Sequence, residues 1–185
     1  LEGEMESDGN IEYKVTLIAR EDASVEDIGL RTHLAPGIGR YMMGLGEKGG
    51  YCPKDLRWKW NVEKNQDGPW VGDVNAGLQI RFYDNTYERP LNTNFYHNAA
   101  ASYAGKNDNG NNGNGGIDIN KAADGTRINA YSGKREVKKG DRLYYYFNIA
   151  ITPFRPIDTD KQWRERYYHS YDFIEKVEKV GANVI

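Results

Sequence analysis

The sequence predicts a mainly β protein: an antiparallel β-sandwich over residues 1–157, followed by a short C-terminal helical segment over 158–185. Three observations predict it. Apolar and polar residues alternate with period two in separate stretches, turn-forming Gly, Asn, Asp and Pro divide those stretches, and helical spacing dominates only after Pro156. Short strands with turns between them and almost no helix favour stacked antiparallel sheets over a parallel one.

Each element has a local reason. Ile11, Tyr13, Val15 and Leu17 alternate with polar neighbours, as do Ile28, Leu30, Thr32 and Leu34, so each set predicts a half-buried strand. Leu78, Ile80 and Phe82 alternate against Gln79, Arg81 and Tyr83 and predict a third. Residues 126–131 and 134–137 read as two strands of a hairpin joined through Ser132-Gly133. The last long strand, 142–152, carries Leu143, Tyr145, Phe147, Ile149 and Ile151 on one face, and Pro153 and Pro156 stop it. From Asp158 the pattern changes. Thr159 and Gln162 match a capping box, and Trp163, Arg166 and Tyr167 are spaced as on a helix. A second capping pair, Asp172 and Glu175, opens a helix with Phe173, Ile174, Val177 and Val180 on one face; Gly181 ends it, and 182–185 begin an apolar strand. That strand needs partners to bond its backbone. Ending on it, and beginning at Leu1 after no methionine, the chain is expected to be an excised piece of a longer protein.

Composition narrows the function classes. A chain of 185 residues with 38% hydrophobic and 28% charged residues suits one globular core, and a net charge of -2 gives no electrostatic case for nucleic acid or an anionic membrane. No apolar run approaches the roughly 20 residues of a membrane-spanning helix. Cys52 stands alone, which excludes an internal disulfide or a cysteine zinc site and reads as a packed thiol.

Motifs that could carry chemistry have plainer explanations. Gly44, Gly46 and Gly49 match G-x-G-x-x-G, but Gly50, Tyr51 and Pro53 follow where a phosphate-binding helix would start. The run KNDNGNNGNGG at 106–116 reads as a loop; aligned as a calcium loop from Asp108, it puts Ile119 where a bidentate Glu belongs. Glu21-Asp22 and Glu26-Asp27 flank turns, Asp158 and Asp160 complement a helix start, and His33, His97 and His169 have no nucleophile at a catalytic spacing. No catalytic residue, metal site or cofactor is expected. The aromatic residues are the remaining signal: Trp58, Trp60 and Trp70 fall near Tyr83, Tyr87, Phe95 and Tyr96. They read either as core and interface or as a platform for stacking on sugar rings.

The stretch from Tyr41 to His97, YMMGLGEKGGYCPKDLRWKWNVEKNQDGPWVGDVNAGLQIRFYDNTYERPLNTNFYH, resembles the N-terminal domain of glycoside hydrolase family 123-like proteins. So do GGIDI at 115–119 and TPFRPIDTDKQWRERYYHSYDFIEKVEKVGANVI at 152–185. The resemblance implies a β-sandwich ahead of a (β/α)8 barrel, with 158–185 supplying the linker helix and first barrel strand. It also implies hydrolysis of β-N-acetylgalactosaminides by the substrate's own 2-acetamido oxygen, assisted by an Asp-Glu pair in the barrel beyond Ile185. The expected partners are the protein's own catalytic barrel and its glycan substrate, and the expected place is secreted, periplasmic or cell-surface. Trp163, Arg164, Arg166 and Tyr167 are then expected at the domain interface. Three functions stay open on this reading: a non-catalytic accessory domain, a carbohydrate-binding module, and a freestanding structural or adhesion domain.

Overall fold

A computed structural model describes residues 1–59, 68–83, 95, 115–153 and 158–165. The chain divides into two compact units, Leu1–Phe154 and Arg155–Ile185. The first is antiparallel β throughout its described strands. In chain order these are β1 (Glu2–Met5), β2 (Asn10–Ile18), β3 (Ala23–Val25), β4 (Gly29–Leu34), β5 (Tyr41–Gly44), β6 (Glu47–Tyr51), β7 (Asp55–Lys59), β8 (Trp70–Gly72), β9 (Gly77–Tyr83), β10 (Gly116–Ala122), β11 (Gly125–Tyr131), β12 (Arg135–Val137) and β13 (Arg142–Thr152).

The strands form a larger sheet ordered β1-β2-β13-β9-β8-β5-β6, a smaller one ordered β4-β11-β10-β7, and a two-stranded ribbon of β12 and β3. Alternation in the sequence fixes which face of each strand is apolar. In the larger sheet the cross-strand row Phe82, Phe147, Tyr13 faces inward, followed by the row Ile80, Ile149, Ile11. From the smaller sheet Ile117, Ile119, Ile128 and Ala130 meet them, all at most 1% exposed. Met42, Val71, Phe82, Tyr145 and Phe147 join these residues in one hydrophobic cluster, so the two sheets share a single core. Phe95 sits inside it, 4.6 Å from the Phe82 ring and edge-on to Tyr145 at 5.1 Å. Each fully buried isoleucine or phenylalanine contributes about 1.5–3 kcal/mol, which makes this inner seam the main source of stability.

Two expectations are corrected. Strands 126–131 and 134–137 do not pair as a hairpin: β11 lies between β10 and β4, while β12 pairs with β3. The reason is Asp27, whose Oδ1 accepts the backbone N–H groups of Ser132 and Gly133 at 3.0 and 2.9 Å, while the Ser132 hydroxyl donates to the Ile28 carbonyl at 2.6 Å. These bonds anchor the bend to the start of β4 and send the chain away from β11. Arg135 then enters the interior, 5% exposed, with its guanidinium 5.8 Å from the Tyr145 ring. Burial lowers the arginine's pKa and raises the tyrosine's.

The glycine-rich 44–49 segment is the turn of the β5–β6 hairpin, with Gly44, Leu45 and Gly46 all at positive φ. Its glycines serve the backbone, and β6 follows where a phosphate site would need a helix. The polar start of the chain, in turn, forms edge strand β1, paired with β2 from Glu2 to Met5.

In the second unit, α1 spans Thr159–Arg164. Its N-cap is Asp158 in place of the expected Thr159: the Asp158 side chain accepts the Lys161 N–H at 3.0 Å. Arg164 donates to the same carboxylate at 3.0 Å. The helix and strand expected at 172–185, and the loop at 106–114, lie outside the described residues.

Candidate functional site

Of the tryptophans expected to form one platform, Trp58 and Trp70 lie in different sheets. Trp58, on β7, is opposite Ile117 and packs half-buried against the core from the smaller sheet. Trp70, on β8, belongs to the larger sheet, and because its neighbour Val71 is fully buried inward, Trp70 projects from the outer face. Trp60 lies outside the described residues, as do Arg166 and Tyr167. Trp163 falls within α1, and Arg164 is engaged with Asp158.

Trp70 is held in one orientation. Its Nε1 donates to Thr152 Oγ1 at 2.7 Å, across three neighbouring strands. Between them lie Gly72 and Gly77, and a Cβ on Gly77 would fall within 2.8 Å of indole Cζ2, Cε2 and Nε1 alike. The indole edge therefore packs closely against the backbone of Gly72 and Gly77, where a side chain would collide with it.

Beside the indole runs a row of outward residues in register: Trp70, Gln79, Ala150 and Asn10. The next row holds Arg81, Asn148 and Glu12. Ala150 is the small residue among longer ones, so a polar cleft of about 300 Å3 opens above it, walled by Gln79, Arg81, Asn148, Asn10 and Asp8. Asp8 is fixed at the rim because its Oδ1 accepts the Asn10 N–H at 3.0 Å. The Arg81 stem lies close to Gly68, and neither Gln79, Arg81 nor Asn148 uses its side chain in a hydrogen bond or ion pair among the described residues. The cleft offers amide donors and acceptors, one guanidinium and one carboxylate.

Several carboxylates are employed in turns and between strands. Asp22 accepts the Lys139 N–H at 2.8 Å and pairs with Lys138 at 3.0 Å, which holds it below the usual carboxylate range. Asp73 and Asp141 bond turn backbone, and Asp55 accepts from Asn120. Among the described residues no group of three or more His, Cys, Asp and Glu is placed to hold a metal ion. Cys52 is buried, and burial pushes its thiol pKa up, away from nucleophilic use at neutral pH.

A family model described as glycoside hydrolase 123, third domain, matches residues 1–153. The chain belongs to glycoside hydrolase family 123. The match covers the β-rich unit up to the end of β13, and it counts this family 123 unit as a third domain where the sequence resemblance points to an N-terminal one. No curated protein and no solved structure matches the chain. Sequence reasoning reached Trp70 by its residue type, but missed Gln79, Arg81, Asn148 and Asn10; their signal is the outward half of the same alternation that located the strands.

Proposed function

We propose that this chain is a non-catalytic domain of a family 123 glycoside hydrolase that packs against and supports the catalytic barrel. The observation that supports the reading is the family match over the β-rich unit, beside which Asp22, Asp27, Asp73, Asp141 and Asp158 serve turns and a helix cap. Catalysis on this reading belongs to a (β/α)8 barrel beyond Ile185, entered through residues 158–185, with β-N-acetylgalactosaminide hydrolysis assisted by the substrate's acetamido group. The protein then works on glycans outside the cell, as the family resemblance implies.

Trp163, Arg164, Arg166 and Tyr167 are the residues assigned to domain packing. In the intact protein, Trp163→Ala should lower the melting temperature of the barrel, and removal of residues 1–157 should lower it further and reduce kcat/KM. Unchanged melting and turnover after both alterations would sink the supporting role.

A carbohydrate-binding reading is favoured by one observation, the Trp70 indole held by Thr152 on the outer face of the larger sheet. It is compatible with the supporting role because the two concern different residues.

A further inference from the structure

The geometry points to a strand-acceptor site at the free edge of β4, where an extended segment of another polypeptide adds a fifth strand to the smaller sheet. The inference is independent of the barrel-support reading, which concerns other residues. Its partner is a segment with apolar residues at alternate positions and Asp or Glu between them.

The two sheets differ in width. Seven strands stand against four, and β4 ends the smaller sheet while the larger one continues through β2 to β1. Beside the β4 edge lies an apolar groove of about 440 Å3, with Tyr13, Val15 and Leu17 of β2 and Phe147 of β13 along its floor and Ile28 and Leu30 along its wall. Leu17 is left 38% exposed there. Strands pair about 4.8 Å apart and stacked sheets lie about 10 Å apart, so a strand bonded to β4 would run above the groove and lower every second side chain into it. Edge hydrogen bonds and side-chain burial are the two forces that drive strand addition.

The edge is open and regular. β4 pairs with β11 in unbroken register from Gly29 to Leu34, and among the described residues no backbone group bonds its other side. It contains no proline, no bulge and no residue at positive φ, the features that commonly block an edge.

Charge selects the partner. Leu30 and Leu34 pack against the core, so the alternate residues Arg31 and His33 stand on the solvent face. Among the described residues no hydrogen bond or ion pair occupies the Arg31 side chain. An added strand with Asp or Glu on its outer face sets a carboxylate beside that guanidinium. A second copy of this chain is the less suitable occupant. Two β4 strands paired antiparallel with their apolar faces aligned would set Arg31 against Arg31 or His33, and the Leu30 and Leu34 of that copy already pack in its own core.

The test is titration of the 185-residue chain with two synthetic peptides blocked at both ends, one alternating glutamate with valine and one alternating lysine with valine. The glutamate peptide should bind saturably and about fivefold more tightly than the lysine peptide, and Arg31→Glu should reverse that order. Residue-resolved hydrogen exchange should slow within Gly29–Leu34 when the glutamate peptide binds, and stay unchanged at edge strands β1 and β6. Leu17→Asp, which puts a charge on the groove floor, should abolish binding of both peptides, with circular dichroism checking its fold. Arg31→Glu alters only the solvent face and decides the outcome whether or not Leu17→Asp folds.

Failure of the glutamate peptide to bind overturns the inference. So does an order of affinity that Arg31→Glu leaves unchanged, and so does binding without slowed exchange in β4. A chain that sediments as a dimer with its β4 amides already protected assigns the edge to a second copy and overturns it as well. None of these results bears on the truncation test of barrel support.

Discussion

Asp27 and Ser132 stand 105 residues apart in sequence, yet the Asp27 carboxylate accepts the Ser132 backbone N–H at 3.0 Å. This bond, with its neighbour to Gly133, decides where β12 goes. Replacing Asp27 with alanine should destabilise the domain by about 1–2 kcal/mol, because two N–H groups lose an ionised acceptor. Asparagine at the same position keeps an oxygen and should recover part of the loss. Urea denaturation of the two variants measures the difference, and equal midpoints for Asp27→Ala and the parent would contradict the anchoring role.

The predicted strands succeeded where one face is buried and the other wet. In β2, β4, β9 and β13 the apolar residues recur every second position because the sandwich has an inside, and Tyr145 and Phe147 are 3% and 7% exposed for that reason. Strand β1 lacks the signal because all its residues, Glu2–Met5, are exposed at the sheet edge. The false hairpin at Ser132-Gly133 has a different cause: local turn chemistry was present, but a carboxylate more than a hundred residues away captured the turn. The candidate site was half legible. Residue type marked Trp70, whereas the cleft depends on cross-strand register, which no single stretch of sequence contains.

Gly44 should resist substitution more strongly than Gly37. Its φ is +94, and an added Cβ would collide with the Gly68 carbonyl oxygen. Gly37 has a similar φ of +85 but opens onto free space. Gly37→Ala should therefore cost about 1–2 kcal/mol from backbone conformation alone, while Gly44→Ala should cost more because the β8 approach must also shift. Thermal melting of the two variants orders them, and the reverse order would refute the steric argument.

Cys52 gives a prediction in pH. Burial raises its thiol pKa, with Lys121 opposing, so the folded chain holds the proton at pH values where the unfolded chain releases it. Its contribution to stability is therefore complete below the ordinary thiol range and declines as pH climbs through it. Burial shifts Tyr145 in the same direction at its own higher range. The urea midpoint should fall between about pH 7 and about pH 10. Cys52 should also react with a thiol reagent far more slowly in the native chain than in urea, and equal rates would show that the thiol is open to solvent.

Strand β6 closes one side of the larger sheet, and all five of its residues are exposed. Such a border can recruit strands from other molecules. Here Glu47 and Lys48 place opposite charges on it, and Gly49, at φ +102, breaks the regular ladder directly after them. A passing strand would find no continuous row of donors and acceptors and would have to bury two charged groups to continue. The hairpin that closes the sandwich thus also guards it against edge-to-edge association and fibre growth.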